Sequence, residues 1–310
     1  MKYAFGIDIG GTTVKIGLFD IDGRLLEQWE IPTRTEANGK NILPDIAWAV
    51  QKEMREKKID MSETAGIGLG VPGPVGEDGT VFKCVNLGWD VMNVERELAS
   101  LTGLKVRAGN DANVAALGEM WQGGGKGHKN LVMVTLGTGV GGGVIIDGKI
   151  LPGADGAGGE IGHLKMRDDE TEACNCGNYG CLEQYASATG IVRLTQRHSR
   201  DGEDSILWEK ESLTAKDIFE AAKAGDRFSQ KMVAEVADTL GRALAQIACV
   251  LNPEIFVIGG GMANAGDYLI DSIREAYQKY AFHAAKKTEF KKAELGNRAG
   301  MYGGVQMILE

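Results

Sequence analysis

Two stretches of this chain share one pattern of apolar runs broken by glycine-rich turns. Residues 3–30, YAFGIDIGGTTVKIGLFDIDGRLLEQWE, and 130–153, NLVMVTLGTGVGGGVIIDGKILPG, each place a Gly/Thr turn after the first run and an Asp-Gly turn after the second. Asp-Gly between β-rich runs signals a hairpin, because glycine supplies the positive φ that the turn needs. Each stretch therefore predicts three strands, and their repetition predicts two related domains. Elsewhere the apolar period lengthens to that of a helix. Leu43, Ala47, Val50 and Met54 follow it, as do Val94, Leu98 and Leu101 behind Asn93, a natural N-cap. Leu240, Ala243, Leu244, Ile247, Ala248 and Leu251 form a long stripe that Asn252-Pro253 ends. IFVIGGG after it predicts a buried strand running into a glycine turn, and GNRAGMYGGVQMILE predicts a last helix. The expected class is α/β, mixed sheets flanked by helices, in two lobes with a cleft between them.

The glycine-rich basic stretch QGGGKGHK (122–129) is expected to be a flexible loop at the boundary, giving one lobe of 1–120 plus 297–310 and another of 121–296. The segment His198–Glu211 is dense in charge and is expected to be a solvated excursion.

Size and charge narrow the function. The chain has 310 residues, 43% of them hydrophobic, enough for two ordinary domains with real cores. Its 34 basic and 43 acidic residues leave a net charge of −9, which argues against nucleic acid as a partner. A small anion held by local backbone N–H groups stays possible. No apolar run is long enough to span a membrane, and Asp8 interrupts the stretch where a signal peptide would need apolar residues. Cys84 and Cys249 lie in apolar surroundings and are expected to be buried free thiols, which fits a reducing cytoplasm.

Gly137, Gly139 and Gly142 satisfy GxGxxG, and so do Gly68, Gly70 and Gly73. A dinucleotide fold needs a helix opening at the last glycine, whose N-terminus takes the pyrophosphate. Neither match has one: a hairpin follows the first and a turn follows the second. The Gly/Thr turns have a different use. They expose N–H groups and hydroxyls with little bulk, so a matched pair can grip a polyphosphate, with Asp8 beside the first turn to attract Mg²⁺. Taken singly, either turn reads better as a plain tight hairpin; it is the matched pair that points to phosphate.

The richest stretch is 158–185, GGEIGHLKMRDDETEACNCGNYGCLEQY, which gathers three of the five cysteines downstream of a histidine. The spacing His163-x10-Cys174-x-Cys176-x4-Cys181 matches a tetrahedral Cys3His zinc site. Four protein ligands close the shell, so the metal reads as structural. Glu160 and Glu183 adjoin the ligands, which makes the knot a possible polar pocket as well.

Taken together, DIGGTTVKIGL, LGTGVGGG, IGGGM and GEIGHLK…CNCGNYGCLE resemble the ROK family of bacterial sugar kinases and repressors, within the actin/hexokinase/Hsp70 superfamily, over nearly the whole chain. The resemblance implies the two-lobed actin-like, ribonuclease H-like ATPase fold, ATP with Mg²⁺, and a structural Zn²⁺. It implies phosphate contacts at Asp8, Gly10, Gly11, Thr12, Thr13 and Lys15, at Gly137, Thr138 and Gly139, and an adenosine side at Gly259, Gly260 and Gly261. It implies Asp111 as the general base toward a sugar 6-hydroxyl, and Asn110, Glu160, His163 and Glu183 as hydroxyl-binding groups. Gly73 in GVPGPV and Asn86 in CVNLGW resemble further sugar-pocket segments. Asp111 is also a plain first-turn acid favoured by the helix dipole, and both readings can hold at once. His163 could give one ring nitrogen to the metal and the other to the sugar.

The implied activity is ATP-dependent phosphorylation of a hexose, glucose foremost, with fructose, N-acetylmannosamine, N-acetylglucosamine and allose as alternatives. A sugar-responsive repressor of the same fold is a second class and a non-catalytic zinc-stabilised binder a third. Repressors of the family carry an N-terminal DNA-binding segment, whereas here the first phosphate strand begins at Tyr3. The resemblance also implies a homodimer or homotetramer.

Overall fold

The computed structural model describes residues 1–199 and 202–310, so Arg200 and Asp201 of the charged 198–211 segment lie outside the described residues. The chain forms two compact units: Met1–Lys129, Gly143–Gly159 and Glu294–Glu310 in the first, Asn130–Gly142 and Glu160–Ala293 in the second.

The elements of the first half are β1 (Tyr3–Ile9), β2 (Thr13–Asp20), β3 (Leu25–Pro32), α1 (Ile42–Lys57), β4 (Thr64–Val71), β5 (Thr80–Val81), β6 (Met92–Asn93), α2 (Val94–Thr102), β7 (Val106–Asn110) and α3 (Asp111–Gln122). Then come β8 (Leu131–Leu136), β9 (Val140–Ile146), β10 (Lys149–Ile150), α4 (Glu183–Ala186), α5 (Ala188–His198), α6 (Ala215–Lys223), α7 (Arg227–Leu251), β11 (Ile255–Gly259), α8 (Asp267–Tyr280), β12 (Glu289–Lys292) and α9 (Ala299–Leu309). The two five-stranded sheets have corresponding orders, β3-β2-β1-β4-β7 and β10-β9-β8-β11-β12. β1, β4 and β7 run parallel, as do β8, β11 and β12. The repeat in the sequence is thus a repeat of topology.

Strand periodicity explains how the first sheet is covered. In β1, Phe5, Ile7 and Ile9 point to a core shared with Ile42, Ile46 and Val50 of α1 and Leu98 of α2. The alternate residues Ala4, Gly6 and Asp8 face α9 instead, where Met301 and Val305 pack on Ala4 and Gly6. β4 repeats the scheme. Ile67, Leu69 and Val71 join the first core, and Gly68 meets the backbone of Gly304 in α9. The GxGxxG match at Gly68, Gly70 and Gly73 therefore has a packing cause, since a bare strand face lets α9 approach closely.

The helix signals hold. Asn93 caps α2, its side chain accepting from Arg96 N, and α7 runs from a side-chain cap at Asp226 to a left-handed Asn252. Four expectations need correction. Cys249 is exposed while Cys84 is buried, because Cys249 falls off the stripe of α7 that runs through Leu244, Ile247 and Ala248. Leu101 likewise lies on the outer side of α2. Most of the glycines of QGGGKGHK are packed: Gly123, Gly124 and Gly125 are buried around Glu119, and Gly127 is exposed. The fully buried Glu119 carboxylate accepts from Gly124 N at 2.9 Å, Glu294 N at 3.0 Å and Leu295 N at 2.8 Å, so the loop and the entry to α9 share one anchor. In the charged excursion, Leu207 is buried and Trp208 stacks on Phe228, so part of it packs on α7.

A methyl group at Gly68 would lie 1.7 Å from Gly304 O, backbone that cannot move aside cheaply. Gly68→Ala should lower the unfolding free energy by about 3 kcal/mol in equilibrium denaturation, as overpacked sites do. A change below about 1 kcal/mol would show that α9 does not seat this closely.

Candidate active site and metal centre

In the first unit, the parallel strands end side by side, and their C-terminal ends carry the candidate polar groups, as in other open α/β sheets. Register sets Asp8 opposite Gly70, Gly70 opposite Gly109, and Val71 opposite Asn110. Asp8 also pairs across to Lys15, whose Nζ is 3.9 Å from its carboxylate. Burial pushes the Asp8 carboxyl above the ordinary range, and the Lys15 charge opposes this. The turn between β1 and β2 holds Gly10, Gly11 and Thr12. It is closed by Gly10 N to Thr13 O at 2.9 Å and pinned by Thr33 Oγ1 to Gly10 O at 2.7 Å.

Asn110 ends β7 and caps α3, accepting from Asn113 N at 3.1 Å, so Asp111 opens the helix as the sequence implied. The Asn110 amide donates to Gly73 O at 3.1 Å and to Asp111 Oδ1 at 3.1 Å, and Ala112 N donates to the same oxygen at 2.8 Å. These bonds hold Asn110, Asp111 and Gly73 as one cluster. Gly70 stands between the two acids: a side chain there would approach Asp8 Oδ1 and the Asp111 backbone at 3.6 and 3.7 Å. Asn86 is exposed on a short 3-10 turn.

In the second unit, the turns after β8 and β11 adjoin. Gly259 is registered with Thr135, and Gly260, at φ +83°, packs on Leu136 so closely that a side chain would overlap its backbone. Gly137 N closes the first turn on Gly139 O at 3.0 Å. Beside Gly261 opens a cavity of about 410 Å³, mostly apolar, walled by Ala215, Phe219 and Met262 with Lys216 and Lys223 at its edge.

The cysteine-rich loop folds as its spacing predicts. His163, Cys174, Cys176 and Cys181 bring their ligand atoms within 4.8 Å of one another. Cys176 and Cys181 sulfurs are 3.7 Å apart, and Cys174 Sγ is 3.8 Å from His163 Nδ1. A zinc–sulfur bond of about 2.3 Å gives a tetrahedral edge of about 3.8 Å. The donor set and its spacing therefore fit zinc. The other ring nitrogen of His163, Nε2, lies 3.9 Å from Glu160 Oε2.

Glu183 joins this loop to the glycine turn after β8. Its Oε1 accepts from Cys174 Sγ at 2.8 Å. Its Oε2 stands where a side chain on Gly139 would come within 2.5 Å, so the carboxylate occupies space that the glycine leaves open. A cavity of about 300 Å³ is lined by Thr138, Gly139, Cys174, Asn175, Glu183 and Arg193 among others. Gly300 is a further member that no motif revealed. Only its lack of a side chain lets Asp8 settle against the start of α9, since a Cβ would lie 2.7 Å from the Asp8 carboxyl carbon.

Beneath the loop, Glu170 has a side chain only 1% exposed. It accepts from Arg197 Nη1 and Nη2 at 3.0 and 2.9 Å, Arg193 Nη2 at 2.9 Å and Tyr185 Oη at 2.5 Å. Thr171 N and Glu172 N add bonds at 3.0 Å each. The Arg197 guanidinium above all, then the Tyr185 hydroxyl, the Glu172 N–H and the Arg193 charge, hold this carboxyl far below the usual range against the effect of burial.

Duplicated α/β units with glycine turns at the ends of their parallel strands define an actin-like sugar-kinase fold. Comparison with known proteins agrees. The ROK family model matches residues 4–310, and the chain belongs to that family. A glucokinase of Halalkalibacterium halodurans is 44% identical, the match covering 99% of this chain and 95% of the relative. A ROK hexokinase from Thermus thermophilus superposes with a TM-score of 0.82 at 31% identity, covering 98% of this chain and 97% of that one. A ROK family glucokinase from Streptomyces griseus, solved in complex with glucose and AMPPNP, gives a TM-score of 0.75 at 32% identity over 98% of both chains. Among the described residues no helix is long and apolar enough to cross a membrane.

The lowered Glu170 carboxyl has a signed consequence. The folded state holds this group ionised where the unfolded chain, with a carboxyl near 4.3, takes up a proton. Its stabilisation is complete above that value and is lost as pH falls below it. Thermal denaturation from pH 6 to pH 3 should therefore show a steeper acid loss in the native chain than in Glu170→Gln. Parallel acid limbs would mean that Glu170 does not contribute to the loss.

Proposed function

We propose that the chain transfers the terminal phosphoryl group of ATP to the 6-hydroxyl of a hexose, with D-glucose the preferred acceptor. The observation that carries this reading is Glu183 standing against Gly139, a hydroxyl-accepting carboxylate in contact with a phosphate-type turn. Carboxylates grip vicinal hydroxyls well, which suits a polyol. Glu160, His163, Glu183 and Asn110 orient the sugar, with Gly73 and Asn86 as further pocket positions. Asp111, its orientation fixed by Ala112 N and the Asn110 amide, takes the proton of the attacking hydroxyl. The new bond forms between that oxygen and phosphorus as the bond to the ADP oxygen breaks.

Phosphoryl transfer asks the protein mainly for positioning and charge neutralisation. Gly10, Gly11, Thr12, Thr13 and Lys15 would hold phosphate oxygens on one turn, and Gly137, Thr138 and Gly139 on the other. Asp8 would hold Mg²⁺ through water, and the metal when bound neutralises phosphate charge. The apolar cavity beside Gly259, Gly260 and Gly261, with Phe219 and Met262 in its wall, favours a nucleoside donor over bare polyphosphate. His163, Cys174, Cys176 and Cys181 would hold a structural Zn²⁺ that fixes the sugar loop. The chain as two lobes, the cytoplasm as its compartment and self-association into a dimer or tetramer belong to the same reading.

Asp111→Asn should cut turnover by about a thousandfold or more while glucose binding by calorimetry stays within a few fold. A variant with near-native turnover would remove Asp111 from the base role. Assayed in the native chain, glucose should outrank fructose, allose, N-acetylglucosamine and N-acetylmannosamine in kcat/KM. Binding of glucose with no turnover of any hexose would mark a sugar-sensing regulator. Cys176→Ser should lose its zinc and raise the glucose KM. Loss of zinc with an unchanged KM would mean that the metal does not organise the pocket.

A further inference from the structure

Glu183 lies on α4, a single turn of four residues without a side-chain cap. So short a helix has no stability of its own, and its orientation must come from the contacts around it. Two sets of ties reach it. One is the metal centre, whose Cys181 lies two residues before Glu183 in the chain. The other lies at the base of the loop and contains no metal ligand side chain.

That second set is the Glu170 cluster. Arg193 and Arg197 stand one turn apart on α5, so both guanidinium groups face the same strip of chain. They grip Glu170, and each also reaches Glu172 at 3.0 Å. The strip is then bonded to the two residues after Glu183. Gln184 Nε2 donates to Glu172 O at 2.9 Å, while its Oε1 accepts from Cys181 N at 3.0 Å. Tyr185 donates to Glu170 at 2.5 Å, and its ring lies under Arg167 at 4.8 Å and Arg193 at 5.5 Å. The tyrosine is almost fully buried. The backbone that presents Glu183 is thus held from below, through its next neighbours, by a carboxylate whose six donors leave it one arrangement.

We propose that Glu170 is a positioning residue for Glu183, acting through Tyr185 and the Glu172 backbone and separately from the metal. This rests on the reading of Glu183 as a sugar-binding group. Glu170→Gln keeps size and some bonds but loses the charge that two arginines and a tyrosine converge on. Its effect should fall on the sugar. The glucose KM should rise about tenfold, the ATP KM should stay within about twofold, and metal analysis should still find one zinc per chain. Tyr185→Phe, which removes a single hydroxyl and is expected to fold in any case, should raise the glucose KM by about threefold with zinc retained.

Glu183→Gln separates the two levels of the argument. If it leaves the glucose KM unchanged, the sugar reading of Glu183 fails. If it raises the KM while folded Glu170→Gln and Tyr185→Phe both stay within twofold of native, the positioning role is overturned. Loss of zinc in Glu170→Gln overturns the separation from the metal, and a matching rise of both KM values would reduce the cluster to general support. Should Glu170→Gln fail to fold, Tyr185→Phe decides alone, on the same two KM values and the same zinc content.

Discussion

A carboxylate can stand this close to a tight turn only where the turn residue facing it has no side chain. The contact of Glu183 with Gly139 meets that condition, and much of the second unit serves to hold it. β8 delivers the glycine turn at its C-terminal end. The cysteine loop delivers Glu183, whose other oxygen lies 2.8 Å from Cys174 Sγ. The Glu170 cluster secures the loop at its base. On the proposed reading, a hydroxyl-binding group and a phosphate-binding group then share one unit, as a sugar kinase requires, since the phosphoryl group must meet a sugar oxygen.

The first unit obeys a related rule. Its sheet gives one face to bulky apolar residues and the other to small ones, so that α9 can lie against β1 and β4. The alternation that seats α9 also places Asp8 at the strand end on the helix side, where Gly300 makes room for it. Packing and chemistry meet at the same helix: small residues on the sheet face seat α9, and Gly300 of α9 leaves space for the acid at the strand end. Asn110 performs a comparable double task, capping α3 and steering Asp111 with its amide.

The parts legible in the sequence were those whose partners are near in the chain or repeat along it. The two three-stranded stretches, the Asn93 cap, the Asn252 stop and the His163, Cys174, Cys176, Cys181 set all have local signatures, and the structure carries each of them. The Asn110-Asp111 pair was legible as the meeting of a strand and a helix. What stayed hidden depends on partners far apart in sequence. Glu119 is paired with backbone of residues 294 and 295, and Gly300 is explained by Asp8. Part of the wall of the apolar cavity, Ala215 and Phe219, comes from α6, in a stretch with no motif. Glu170 looked like one more acid in a polar run, and only the fold shows two arginines and a tyrosine turned toward it. Cys249 shows the opposite error: apolar neighbours in sequence suggested burial, but helical phase set it on the outer side.

The account is tested most directly by the product. Incubated with glucose and ATP, the chain should form ADP and sugar phosphate in equal amounts, and phosphorus-coupled proton NMR should place the phosphate on O6. ADP release that does not depend on sugar, or a phosphate on another hydroxyl, would contradict it.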